Sequence, residues 1–376
     1  MGVESKAPKK TLVPDFKRDV QEWYIRETLP EVLDTLLLDR TMSAENGRPT
    51  NIVWGTDDYL AEYGAEYAAD KPILPEQIAD RGRKVICPRV DKRSEEQRRR
   101  SVEKAEVFTP SWVCNKQNNL VDAAWFGRMT RLFNAEKLNP ATGLQWTANT
   151  DPIEFSDTDG RRWEDYIAAT RLEVSCGEAP YLTSRYDSTT GAMIAVSDRI
   201  GLLDRKLRIV TERCGGKTAR WIALAKTALK NVYGFEWQGD NVVLARENLL
   251  YAVLEAFSDR FKGRQIPAEE IEEFAEIISW NIWQMDGIKF VVPNTCHDEE
   301  AIPTKKPEDF NLTFDFMTPD VPEPQALPLT VPCPGCKTGD ATRHNGVRCR
   351  IMDWKAGQQV LFMPPFDFPE APKERK

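Results

Sequence analysis

Several things are scarce in this 376-residue sequence, and each scarcity excludes something. No apolar run approaches the ~18 residues that a membrane span needs. The opening MGVESKAPKK has no apolar core of the signal-peptide kind. Gly2 sits as in a myristoylation signal, but Lys6 stands where Ser or Thr is required. The expectation is a cytoplasmic protein with no membrane partner. Positive charge is also short, since the net charge is −8. The chain as a whole does not read as a nucleic-acid binder, so a local basic face would have to do that work. Histidine is nearly missing, with only His297 and His344. No full G-x-G-x-x-G dinucleotide signature is present. The eight cysteines come without a secretion signal, which points to thiols or metal ligands rather than disulfides.

What is present suits one large domain with additions, or two domains. Hydrophobic residues make up 41% and aromatics 10%, enough for a sizeable core. Residues 13–40 recur near helical spacing, with Pro30 dividing them. NIVWG at 51–55 reads as a strand, and Lys84 to Cys87 as a second short one. Residues 81–104 hold ten basic side chains against four acidic ones. Arg98, Arg99 and Arg100 are the candidate DNA-binding residues among them. Such a stretch serves either as a phosphate-binding face or as a solvated helix laced with ion pairs. LQWTA and PIEFSDTDGRRWEDYI, within 139–170, read as an inserted β-hairpin turning at Thr158-Asp159-Gly160.

Residues 171–187, RLEVSCGEAPYLTSRYD, organise the rest. A short apolar strand runs into the small residues Ser175, Cys176 and Gly177. A strand that ends in a small-residue turn is how an open α/β sheet builds a ligand site at its carboxyl edge. Further on, residues 200–210 and 220–230 are helical by period, 232–237 is a strand, and 241–257 a long helix. Residues 269–283 form another helix leading into NIWQMDGIKFVVP. Residues 298–334 are rich in Pro and acid, as in an extended linker.

LEVSCGEAPYL resembles the S-adenosylmethionine-binding motif of adenine-specific DNA methyltransferases, usually written LEPxCGxGxFL. Val174 replaces the usual Pro, and Ala179 the second Gly. AEVFTP, at 105–110, resembles the G-x-x-x-TP element that precedes the cofactor strand in that family. GFEWQGDNVVLARENL resembles the family's second motif, and QMDG its third. The resemblance covers residues 104–290. It implies a Rossmann-like class I methyltransferase fold with an N-terminal helical extension. It also implies a cofactor site at Phe108, Thr109, Pro110, Glu173, Ser175, Cys176, Gly177, Glu178, Glu236 and Asp286. Glu236 would accept the ribose hydroxyls and Asp286 the adenine amine. The expected divisions are 1–103, a helical and basic region; 104–297, the cofactor domain; and 298–376, a Pro-rich linker with a Cys/His segment.

The catalytic tetrapeptide of the same family, (N/D)-P-P-(Y/F), has one counterpart here: Met363, Pro364, Pro365 and Phe366. Phe366 retains an aromatic that can stack on a flipped base. Met363 has no strong acceptor for the target amine. The resemblance therefore implies the cofactor subunit of a DNA modification or restriction-modification system, related to phage defence. A second protein subunit would supply catalysis and target recognition, and DNA would be the substrate. A non-catalytic cofactor-sensing subunit, or a methyltransferase acting on RNA or protein, fits the same motifs. Separately, CPGCKTGDATRHNGVRC has the spacing of a tetrahedral structural zinc knuckle. Cys333, Cys336, His344 and Cys349 are the expected ligands, with Cys296-His297 an alternative source of one.

Overall fold

The structure is a computed structural model that describes residues 10–103, 106, 109–127, 132–155, 161–300 and 330–363. Phe108, the turn at Thr158-Asp159-Gly160, Pro364, Pro365, Phe366 and most of the Pro-rich linker lie outside the described residues.

Its centre is a three-stranded parallel sheet, β1 (Arg171–Val174), β2 (Val232–Glu236) and β3 (Ile282–Gln284), in the order β1-β2-β3. In register, Glu173 lies opposite Gly234, which lies opposite Ile282. Parallel neighbours need long crossovers. Here α1 (Leu202–Arg213) and α2 (Thr218–Leu229) join β1 to β2, and α3 (Gly239–Arg260) and α4 (Ala268–Asn281) join β2 to β3. The three strand motifs thus form one sheet in sequence order. The architecture is mixed α/β.

Alternation along the strands separates two apolar clusters. Val232 and Ile282 face the helices, in a core that runs from Leu12 through Ile153 to Ile278. Phe235 and Trp283 face the other way, toward Met285, Val292, Cys349 and Phe362. The N-terminal residues therefore share a core with the sheet. The boundary expected near residue 103 is not a boundary of packing, because Ile25, Val32 and Trp54 belong to the same cluster as α3.

The helix α3 is buried without a break from Gly239 to Phe257, polar residues included. Its Arg246 is fully buried and donates to four carbonyls, those of Leu36, Leu38, Ser279 and Ile282. All four belong to or follow the ends of helices Pro30–Leu37 and Ala268–Asn281, whose last carbonyls have no partner within their own helix. One guanidinium thereby ties both helices to α3.

Several local expectations are corrected. Lys84 to Cys87 forms no strand. NIVWG pairs only through isolated bridges at Asn51 and Val53. The insertion is not the hairpin expected, since Asn134–Ala135 pairs with Thr147–Ala148, and WEDYI at 163–167 is a helix. Alternation was the wrong period there, because Tyr166 and Ile167 turn inward together from a helical turn. The helix that the Thr-Pro entry predicts from Ser111 through Met129 and Leu132 ends at Phe126, where Gly127 takes φ 67°. Among the described residues no helix is long and apolar enough to cross a membrane.

Candidate functional site

The carboxyl ends of β1, β2 and β3 open into one cleft of about 780 Å3. From β1 come Glu173, Val174, Ser175, Cys176 and Gly177; from β2, Phe235, Glu236, Trp237 and Gln238; from β3, Met285, Asp286, Gly287 and Ile288. Thr109 closes one side. Parallel sheets place ligand sites at this edge because the strands end there and the chain must turn away.

The β1 turn is built on left-handed backbone at alternate residues: Ser175 at φ 49°, Gly177 at 51° and Ala179 at 63°. The turn is locked onto β2. Cys176 N–H donates to Phe235 O at 2.9 Å, and Gly177 N–H to Glu236 Oε2 at 2.9 Å. The other oxygen of Glu236 accepts from the N–H groups of Trp237 and Gln238. Glu173 accepts from the N–H groups of Tyr181 and Leu182, which curls the segment after the turn back over the strand end. Burial pushes the Glu173 carboxyl up to about 8, against those two hydrogen bonds. Burial also raises Glu236. Asp286 Oδ1 accepts from the N–H groups of Ile288 and Lys289, so this loop closes on its own aspartate.

The lining has a marked chemical bias. Four acidic side chains line it, those of Glu106, Glu173, Glu236 and Asp286, and among the described residues no Lys, Arg or His does. Two side-chain amide oxygens in the wall, Gln238 Oε1 and Asn241 Oδ1, are buried without a hydrogen-bond partner. Orphaned buried acceptors cost free energy until a donor meets them. The cleft therefore suits a ligand that is cationic and rich in N–H and O–H donors. It does not suit a pyrophosphate.

Of the residues expected to bind a cofactor, Thr109, Glu173, Ser175, Cys176, Gly177, Glu236 and Asp286 line the cleft. Pro110 does not. It caps the helix Ser111–Phe126 that leads away from Thr109. Glu178 is corrected: it is buried away from the cleft, accepting from Arg89 N–H and Tyr186 O–H at 2.6 Å each. The motif spacing could not show that its side chain turns inward. Gly55, Thr56, Glu106 and Asn241 were not foreseen. Gly55 was marked by its place after NIVW, and it packs so close that a Cβ would lie 2.7 Å from Trp237 O.

Arg100, expected at a DNA phosphate, is fully buried. Its guanidinium pairs with Glu106 and with Asp240, which also accepts from Lys92 and Tyr59. It thus holds the cleft residue Glu106 from behind. Arg99 is exposed and reaches Asp58 at 2.6 Å. Arg98 is exposed. Met363 follows β5 (Gln358–Leu361), which pairs antiparallel with β4 (Arg350–Asp353) in a separate hairpin outside the parallel sheet.

A second constellation lies beside the β3 loop. Cys296, Cys333, Cys336 and His344 bring their ligand atoms within 4.8 Å of one another and could hold a metal ion. Cys296 Sγ lies 3.3 Å from Cys333 Sγ and 3.6 Å from Cys336 Sγ, and His344 Nδ1 lies 3.4–3.7 Å from all three sulfurs. A zinc tetrahedron with ~2.3 Å Zn–S bonds has edges of about 3.7 Å, close to these separations. Gly335 is required by the close approach of the ring, since a Cβ there would lie 2.5 Å from His344 Cγ. Cys349 is corrected as a ligand. It is fully buried in the apolar cluster under the sheet, its thiol against Gln284 O at 3.6 Å. Cys296 takes its place, 37 residues before Cys333 in sequence. His297 is exposed, with its ring at Thr295 O.

Compared with known proteins, the chain matches no family model, no curated protein and no solved structure.

Proposed function

We propose that the cleft binds S-adenosylmethionine, in a Rossmann-like methyltransferase domain, and that the chain is the cofactor subunit of an adenine-specific DNA methyltransferase of a restriction-modification system. The observation that carries this reading is the convergence of three motifs, read separately from the sequence, on one cleft lined by carboxylates and unpartnered acceptors. The cofactor carries a sulfonium, an ammonium, two ribose hydroxyls and an adenine amine. Each is a cation or a donor that such a lining answers. When bound, the cofactor supplies the activated methyl group.

The chain's own residues position it. Glu236 Oε2 accepts Gly177 N–H and keeps a lone pair that would accept a ribose hydroxyl. Asp286, held by the Ile288 and Lys289 N–H groups, is the acceptor for the adenine amine. The left-handed turn at Ser175–Ala179 brings backbone rather than side chain against the ligand. The Cys/His centre holds zinc as a structural ion, since three thiolates and one imidazole are borderline-soft ligands suited to tetrahedral zinc. DNA is the substrate, and a second subunit supplies the polar group that Met363 lacks.

Isothermal calorimetry tests the cofactor assignment. S-Adenosylmethionine is expected to bind, and Glu236→Ala to weaken it by about 1–3 kcal/mol for lost charged hydrogen bonds. Binding to the variant as tight as to the wild type would remove Glu236 from the site. Absence of binding by the zinc-loaded wild-type protein would remove the methyltransferase reading.

A further inference from the structure

Between the Cys/His centre and the cleft, one side chain touches both. Arg348 lies four residues after His344. Its Nη2 donates to His344 O at 3.0 Å and its Nη1 to Ala341 O at 2.7 Å, both in the metal knuckle. The same Nη1 donates to Lys289 O at 3.0 Å, in the loop that carries Asp286, Gly287 and Ile288 into the cleft. A second tie runs through the backbone. Val292 N–H donates to Val347 O, and Val347 N–H to Thr295 Oγ1, immediately before Cys296. Val291 bridges both Asp286 and Arg348.

The loop needs such support. Phe290 at φ 57° and Asn294 at φ 63° hold left-handed backbone without being glycine. Residues in that region cost about 1–3 kcal/mol each and persist only where the surroundings over-determine them. Here the surroundings are Phe362 against Phe290, Ala69 O against the Asn294 amide, and the knuckle, and the knuckle is small. It consists of the five-residue helix Pro334–Thr338, a single turn at Ala341–Arg343 and Gly346 packed on Cys296 N. A unit of this size has little apolar core of its own, and a metal is the ordinary means of holding one together.

We propose that metal binding at Cys296, Cys333, Cys336 and His344 sets the conformation of the Asp286–Val291 loop through Arg348, so that the adenine end of the cleft is formed only in metal-loaded protein. Arg348 is a positioning residue that touches neither metal nor ligand. The cleft's use for S-adenosylmethionine rests on the reading above, whereas the coupling between centre and loop does not.

Hydrogen exchange on the full chain, without cofactor, tests the coupling directly. The reporters are the amides of Asp286, Ile288, Lys289 and Phe290, all hydrogen-bonded within the loop. The reference is the interior of α3. Removing zinc with a chelator is expected to speed exchange of the loop amides about fivefold or more, the usual lower end of coupling between two sites. The α3 amides are expected to stay protected, and added zinc to restore the loop. Loop exchange unchanged by zinc removal overturns the proposal. If the zinc-free chain unfolds as a whole, Arg348→Met at saturating zinc decides. Faster exchange confined to residues 286–291, with one zinc retained, supports the tie, and wild-type exchange there overturns it. A parallel titration with S-adenosylmethionine is expected to show at least fivefold weaker binding to Arg348→Met. If zinc-loaded wild type binds no cofactor, the cofactor reading fails while the exchange result still decides the coupling.

Discussion

Ser175 and Ala179 take the left-handed backbone that a β-carbon disfavours by about 1–2 kcal/mol. Ser175 is exposed, with no packing to lose. Ser175→Gly is therefore expected to raise unfolding free energy by about 1 kcal/mol in chemical denaturation, through relief of strain. A loss of stability would mean that the Ser175 hydroxyl makes a compensating contact. Ala179 is different. It is fully buried, and its methyl contributes about 0.8 kcal/mol of burial that glycine would forfeit. That offset explains how this chain keeps alanine at a turn position where glycine is the conformational optimum. Glu173 carries a pH dependence. Buried near Glu236, its carboxyl stays largely protonated up to about pH 8 in the empty cleft. A cationic ligand favours the carboxylate and so lowers that value on binding. Binding then releases a proton below pH 8, and affinity is expected to rise from pH 6.5 toward 8 and level off above it. Glu173→Gln is expected to flatten that profile in calorimetry. An unchanged profile would place the titration on another group.

The cysteine segment and the basic helix each combine two roles that spacing alone merges. Cys296→Ser is expected to lose zinc from a purified sample assayed by elemental analysis, because it removes one of four ligands. Cys349→Ser is expected to retain one zinc and to lose about 1–3 kcal/mol of stability, through a hydroxyl placed in the cluster of Phe235, Trp283 and Phe362. The opposite pattern would restore Cys349 to the ligand set. In the helix Ser94–Glu103, Arg98 faces solvent and Arg100 faces Asp240 and Glu106. Arg98→Glu is expected to leave folding intact. If this face meets DNA, the variant weakens binding and lowers the salt slope by about 1. Arg100→Met is expected to cost about 3–5 kcal/mol by stranding buried carboxylates, whatever the ligand. A stable Arg100→Met protein would show that Asp240 and Glu106 are satisfied by other groups.

At the scale of the molecule, the sheet has three strands among the described residues, and the strand before Met363 pairs in a separate hairpin. Met363 therefore does not follow a strand of the parallel sheet. With Met363 lacking an acceptor for a target amine, the lone chain is expected to bind S-adenosylmethionine yet transfer methyl groups to adenine-containing DNA near background. Losing such a contact costs about 10²-fold or more in rate. A tritium-methyl assay with and without a partner subunit checks this. Robust turnover by the lone chain would place catalysis on other residues.

The α/β class and the three strand-turn motifs were legible in the sequence. Local propensity and alternation write strands and helices into consecutive residues, so the strands near 172–174 and 232–237 and the long helix at 241–257 could be read directly, to within a few residues of their ends. The cleft residues Glu173, Glu236 and Asp286 were marked by the motif resemblance instead, Glu173 and Glu236 at the ends of their strands and Asp286 just beyond the third. What crosses the chain was not. Cys296, which the sequence offered only as an alternative ligand, is chosen over Cys349 because the β3 loop returns to the knuckle, and Gly55 joins Trp237 only because residues 51–55 pack on the sheet edge. Side-chain direction was equally hidden. Glu178, Arg100 and Cys349 carry the residue types of a ligand site, but each turns into the core, where neighbours distant in sequence satisfy it. One sequence records the periodicity of a segment. Which of its polar groups face a cleft is decided by the packing of segments against one another, and that is a property of the tertiary structure alone.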